Sequence, residues 1–309
     1  MEINNKFKRV ATLNPQNFQE TIENYNFKRE DGYAKTIAKR FIKNKVASVS
    51  LILFVIIILT AIFAPQIAPY SPNETQGYFE SAPDSDYLLG TDEVGRDVLS
   101  RLIYGSRVSL IVGVGSVFIY VLIGTVLGLI SGYFGGVIDS SIMRITEVFM
   151  SFPYFMVILV LVSLIGPSMW TVTFVLGLLS WPPLCRLIRG QVLTIKGLDF
   201  IQAAIATGYS TTSILFRHIL PNVLSIIFVN ATFGIANAIL TEASLSFLGM
   251  GVRPPSASWG NMLSNAQSLT VLSREPWRWV PAGFMILISV LAVNFIGDGL
   301  RDAVEGETK

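Results

Sequence analysis

The chain is poor in the residues that do chemistry. It holds one cysteine, Cys185, and one histidine, His218, in 309 residues. A single cysteine excludes an intramolecular disulfide, and with a single histidine it leaves no Cys/His zinc site of the usual spacing. No Gly-x-x-x-x-Gly-Lys-Ser/Thr loop is present, so no ATP is expected on this chain through a P-loop. Gly-x-Ser-x-Gly and His-Glu-x-x-His are absent too, which leaves an embedded enzyme without a recognisable nucleophile or metal motif. Charge is scarce, at 14% of residues where soluble domains carry about 25%. A net charge of +2 gives no footprint for nucleic acid.

What the chain has is apolar length. Residues 46–64 are 19 uncharged positions, enough to cross about 30 Å of hydrocarbon at roughly 1.5 Å per residue. Residues 108–130 make a second run of 23. Residues 148–185 carry no charge over 38 positions, and one helix of that length would be about twice the apolar thickness. Gly166-Pro167-Ser168 divides them, giving spans near 149–165 and 169–184, with Pro182 and Pro183 kinking the end of the second. Residues 223–240 and 280–296 complete six spans. Gly124 and Gly128 stand four apart, the spacing that lets helices approach closely in lipid.

The connections set the orientation. Residues 1–45 read as a polar, flexible tail whose basic end, Lys35 to Lys45, becomes a juxtamembrane helix. Residues 65–107 read as a polar connection ending in a short amphipathic helix, with Asp97 and Arg101 spaced to pair along it. Residues 131–147 read as a loop, 108–303 as a five-span core, and 304–309 as a C-terminal tail. With both termini cytoplasmic, 17 Lys and Arg fall inside and 6 outside, the bias of the positive-inside rule. Trp259, Trp277 and Trp279 suit the headgroup layer. Asn230 and Asn237 are seven apart and share a helix face, either as glue between helices or as the lining of a pathway that ends near Glu242.

One cytoplasmic stretch, 197–222, breaks the membrane-like composition. Asp199 is placed to cap a helix from Phe200, Ala203, Ala204 and Ala206 keep it slim, and Gly208 ends it. A second helical stretch, 210–220, is expected to stop at Pro221. The order Asp199-Phe200, Gln202-Ala203-Ala204, Gly208, Ile214 and Arg217-His218-Ile219-Leu220-Pro221-Asn222 resembles the EAA loop of bacterial ATP-binding-cassette importer permeases. Gln202 stands where that family usually has Glu. Leu89-Gly90-Thr91-Asp92 with Gly95-Arg96-Asp97, and Glu242-Ala243-Ser244-Leu245-Ser246-Phe247-Leu248-Gly249, look like signatures of its oligopeptide, dipeptide and nickel branch.

The resemblance spans roughly residues 35–303 and implies an all-α permease of the type I importer fold in the bacterial cytoplasmic (inner) membrane. It implies a homologous second permease, two ATP-binding cassette subunits that hydrolyse the ATP, and an extracytoplasmic substrate-binding protein. This chain would then bind no cofactor, metal or nucleic acid and catalyse nothing itself. Coupling would run through Asp199, Gln202 to Ala204 as docking surface, Gly208 as bend, and Arg217, His218 and Pro221 beside it. The rival reading is a secondary transporter driven by an ion gradient, which would call for carboxylates or histidine near mid-span.

Overall fold

Hydrocarbon offers no partner to a free N–H or C=O, so a spanning chain must satisfy its backbone within helices or a closed barrel. The computed structural model describes residues 33–306, and these are helical wherever the sequence is apolar. Residues 1–32 of the expected tail and the last three of the C-terminal tail lie outside the described residues.

An amphipathic helix, α1 (Tyr33–Lys43), leads through Asn44 into the first span, α2 (Lys45–Ile62). The Asn44 side chain caps α2 by accepting from the Ala47 N–H at 3.2 Å. Pro65 sits in the first turn of α3 (Ala64–Ile67), where no N–H is missed. Residues 68–97 form a lobe of turns, and α4 (Val98–Phe134) follows, 37 residues long. The short helix expected before residue 108 is therefore not separate; it is the first part of α4. Asp97 does not pair with Arg101. It is the N-cap, accepting from the Ser100 N–H at 2.7 Å, and Arg101 turns to Asp92 at 3.3 Å.

The expected loop at 131–147 is also a helix, α5 (Gly136–Ser151), entered through Gly135. At Phe152-Pro153 the axis turns by 83° into α6 (Tyr154–Ile165). Twelve residues of α6 reach about 18 Å, too short to cross alone. Among the described residues five helices are long and apolar enough to span, and a sixth crossing exists if the bent α5–α6 pair is taken as one. Next, α7 (Met169–Leu179) runs into α8 (Trp181–Lys196), which carries Pro182 and Pro183 in its first turn. The span thus continues to Lys196 and does not end near 184.

After the short helix α9 (Asp199–Ala206), α10 (Thr211–Phe247) passes straight through Pro221, against expectation. Proline lacks an N–H and its ring crowds the carbonyl four residues back. A π-helical turn at Ile214–Ile219 widens the helix just before it, and the Leu220 N–H bonds five residues back to Leu215. Two short helices, α11 (Trp259–Leu263) and α12 (Leu269–Arg274), lead to the last span, α13 (Val280–Glu305). Trp259 is not an interfacial anchor: it is fully buried, and its indole N–H donates to the Leu102 carbonyl at 3.1 Å.

Two ends result. At one lie α1, the α4–α5 junction, the 197–222 bend and the end of α13, tied by Arg40 to the Ala303 carbonyl (3.3 Å) and Lys196 to the Tyr133 carbonyl (2.6 Å). At the far end lie the 68–97 lobe and residues 248–279, tied by Arg101 to the carbonyls of Pro72 and Pro255 and by Arg278 to Glu80.

The largest packing contact joins α4 and α8. A Cβ on Gly128 would lie 2.8 Å from both the Cys185 carbonyl oxygen and Ile188 Cβ, and one on Gly132 would lie 2.7 Å from Val192 Cβ. The expected Gly124–Gly128 seam is therefore one turn longer, through Gly132. Gly128→Leu is expected to cost about 1–3 kcal/mol or more through overpacking against backbone, read as a lowered melting temperature of the purified protein. Gly190 on the exposed side of α8 meets nothing within 4 Å, and Gly190→Ala is expected to melt at or above the wild-type temperature.

Candidate functional site

The 197–222 stretch folds as a short helix, a turn and a widened helix, seated on the bundle by one apolar face. Ile201 and Ala204 of α9 are buried with Ile214, Leu215 and Ile219 of α10 and with Val192 of α8. The turn is a Schellman motif: Gly208 sits at φ +80°, its N–H bonds the Ile205 carbonyl, and the Tyr209 N–H bonds the Ala204 carbonyl at 3.1 Å. A positive φ of this kind costs an L-residue about 1–2 kcal/mol, so the turn requires glycine.

Asp199 does not cap α9. The N-cap is Leu198, and Asp199 is the first helical residue, exposed, where its charge complements the helix dipole. Gln202 and Ala203 face outward, but Ala204 is core and not part of an outer surface. The Gln202 amide donates to the Lys196 carbonyl at 2.7 Å, closing the end of α8 with a bond that a carboxylate could not make. Arg217 is exposed. His218 is half-buried with its ring edge-on to Tyr209 at 5.7 Å, and its Nε2 has no hydrogen-bond partner. Pro221 lies on α10 just beyond the π turn. Among these polar groups stand exposed apolar ones, Leu198, Phe200, Tyr209 and Phe216.

Two polar contacts lock this end of the bundle. Arg189 on α8 holds Asp139 on α5 with two bonds of 2.5 and 2.6 Å, and Ser131 of α4 donates to the same carboxylate. The Lys196 ammonium lies 5.3 Å over the Tyr133 ring while bonding its carbonyl. Sequence reasoning did not find the Asp139–Arg189 pair, because nothing in a chain separation of 50 residues signals it.

Between the spans lies a cavity of about 560 Å³. Asn230 and Asn237 both line it, with Tyr120, Tyr154, Phe233 and Thr241, and none of its lining residues is charged. Asn230 donates to the Ile226 carbonyl, and the Tyr120 hydroxyl donates to the Asn230 carbonyl at 3.0 Å. Gly234 leaves the space for that hydroxyl. The aromatic lining was invisible to sequence reasoning, since single aromatics in an apolar run look like any core residue.

Glu242 is not on this cavity. It is fully buried and accepts from the hydroxyls of Ser246 (2.7 Å), Ser258 (2.9 Å) and Ser109 (3.3 Å). Each of these serines also accepts one backbone N–H, from Val252, Asn261 and Trp259 respectively. The carboxylate is thereby the hub on which the 249–263 segment hangs between α4 and α10.

Helical spans around a neutral cavity, with a stiff bent projection at one end, define a membrane transport permease. The chain belongs to the family of binding-protein-dependent transport system inner membrane components, whose model matches residues 124–309. The N-terminal TM domain of oligopeptide transport permease C matches residues 32–84. The oligopeptide transport system permease protein OppC of Escherichia coli is 41% identical over 93% of this chain and 96% of that protein. The dipeptide transport system permease protein DppC of Alkalihalophilus pseudofirmus is 40% identical over 88% and 89%. A Brucella suis protein named as a peptide permease is 44% identical over 87% and 89%. The fold is shared with the MetNI methionine ABC transporter in inward-facing conformations, at a TM-score of 0.54 and 18% identity, covering 66% of this chain and 96% of that one. The chain is thus a permease of the ATP-driven importer class.

Glu242→Ala is expected to leave three buried hydroxyls without their acceptor, at about 1–3 kcal/mol for each group left unsatisfied. Melting should fall and protease should cut the 249–263 segment faster, whereas Ser244→Ala, on the exposed side of the same helix, should match wild type.

Proposed function

We propose that this permease imports peptides, forming half of a translocation pathway with a homologous second permease. Two ATP-binding cassette subunits grip the 197–222 projection and supply the ATP hydrolysis, and an extracytoplasmic binding protein delivers the cargo at the far end. The observation that carries this reading is the projection itself. It is capped by a Schellman turn, seated on a continuous apolar core, and carries Phe200 and Tyr209 in the open. Exposed aromatic surface on a stiff support is what a docking partner uses.

The charge distribution supports a cytoplasmic position for this end and for both termini, hence a multi-pass protein of a bacterial inner membrane. Closure of the motor subunits on ATP moves the projection with α8, and the α4–α8 seam carries the motion to the cavity wall. Asn230, Asn237, Tyr120 and Tyr154 offer amide and hydroxyl groups to a passing peptide backbone, with aromatic faces for its side chains. The cavity holds no carboxylate for an ion gradient to act on, so nothing favours a secondary transporter. No bound cofactor or catalytic step is assigned to this chain.

Gly208→Pro, which cannot adopt φ +80°, is expected to abolish uptake of a labelled tripeptide while the subunit still inserts. Ala203→Trp should lower uptake without lowering the melting temperature, and Ala204→Leu should lower both. Wild-type uptake by Gly208→Pro would remove the projection from the mechanism.

A further inference from the structure

The far end, where cargo is delivered in the reading above, carries a lobe with a charge of one sign. From residue 46 to residue 95 the chain has no Lys or Arg and six carboxylates: Glu74, Glu80, Asp84, Asp86, Asp92 and Glu93. Asp92 is buried against Arg96 (2.7 Å) and Arg101 (3.3 Å), and Arg278 reaches Glu80 and Glu93. Glu74, Asp84 and Asp86 are exposed and form no ion pair among the described residues.

Beside these acids the lobe exposes large apolar groups. Tyr78 is 88% exposed, Phe79 67% and Leu88 65%. The exposure is built in, because the backbone around them is fixed by its own bonds. The Thr91 hydroxyl donates to the Tyr78 carbonyl (2.6 Å), the Glu80 N–H to the Asp92 carbonyl (2.9 Å), and the Gly77 N–H to the Gly95 carbonyl (3.1 Å). Gly90 at φ +66° packs so closely that a Cβ would lie 2.4 Å from the Ser81 carbonyl oxygen. Arg278 and Arg101 then pin the lobe to the far end of the bundle.

A rigid acidic rim around exposed aromatics matches the anatomy of a recognition surface, in which aromatic anchors hold and rim charges steer. We propose that the 70–95 lobe is the docking surface for the extracytoplasmic binding protein, which presents to it a Lys/Arg-rich face with an apolar centre for Tyr78 and Phe79. The assignment rests on the importer reading above, and what it adds is the place and the charge of the contact. Charge complementarity selects the occupant: an anionic lipid surface would repel the lobe, whereas a basic protein face is drawn to it.

The test uses the assembled transporter in nanodiscs, titrated with its purified cognate binding protein at low and high salt. Glu74→Lys/Asp86→Lys should weaken binding about tenfold at low salt, with the difference from wild type shrinking as salt rises. Tyr78→Ser/Phe79→Ser should weaken it at both. Co-purification of the partner permease and the ATPase subunits in wild-type amounts is the folding control. Unchanged affinity in both variants would overturn the proposal. So would a Tyr78→Ser/Phe79→Ser protein that loses only its association with phosphatidylglycerol vesicles, which would make the lobe a membrane anchor. If Gly208→Pro abolishes uptake while the lobe variants bind normally, this proposal fails and the importer reading stands. Wild-type uptake by Gly208→Pro instead removes the reading on which it rests.

Discussion

Everything at the 197–222 end of this molecule depends on how closely α4 approaches α8. Gly124, Gly128 and Gly132 put α4 backbone against Trp181, Cys185, Ile188 and Val192 with no room for a methyl group. Without a hydrophobic force between helices in lipid, contact of this kind and interhelical polar bonds are what hold spans together. The seam ends at the Asp139–Arg189 pair, where Ser131 of α4, Asp139 of α5 and Arg189 of α8 meet. About two turns further on, α8 stops at Lys196, whose carbonyl takes the Gln202 amide of the projecting helix. The projection, α8 and α4 are thereby joined by continuous packing and hydrogen bonds, and α4 also contributes Tyr120 to the cavity wall. On the coupling reading, force applied at Phe200 has a packed route to the cavity through α9, α8 and α4.

The polar groups are distributed to suit that role. Ion pairs gather at the two ends, while the cavity between them is lined only by neutral side chains. Buried carboxylates in membrane spans are costly unless satisfied, and Glu242 is satisfied by three serines from three parts of the chain. It ties the 249–263 segment to α4 and α10. On the proposed reading, a neutral wall of amides, hydroxyls and aromatic rings suits peptides of varied side-chain charge, because it offers partners to what peptides share.

Much of this was legible in the sequence. Uncharged runs located the long helices, since hydrocarbon demands them, and the Gly124–Gly128 spacing announced the most extensive helix contact, between α4 and α8. Gly208 was readable as a bend because only glycine takes its backbone conformation without strain. The failures have physical causes. Residues 131–147 carry charges that suggested a loop, yet they open an amphipathic helix that runs back along α8, from Asp139 at Arg189 to Phe149 at Trp181. Pro221 looked like a helix stop, but a π turn removes the clash on which that rule depends. Ala204 and Ala203 are indistinguishable as letters, and only packing decides that one is core and the other surface. Glu242 and the Asp139–Arg189 pair depend on partners far apart in the chain, and local pattern carries no record of them.

The stiffness of the projection is the claim on which the coupling account turns, and a distance inside one subunit tests it directly. Cys185 is fully buried, so cysteines introduced at the exposed positions Thr212 and Val137 can be spin-labelled selectively. Their separation, measured by pulsed electron resonance in the assembled transporter, should shift by less than about 2 Å between nucleotide-free and ATP-trapped states. A change of about 5 Å, or a second population appearing with ATP, would show that the projection swings on its own and does not carry α4 and α8 with it.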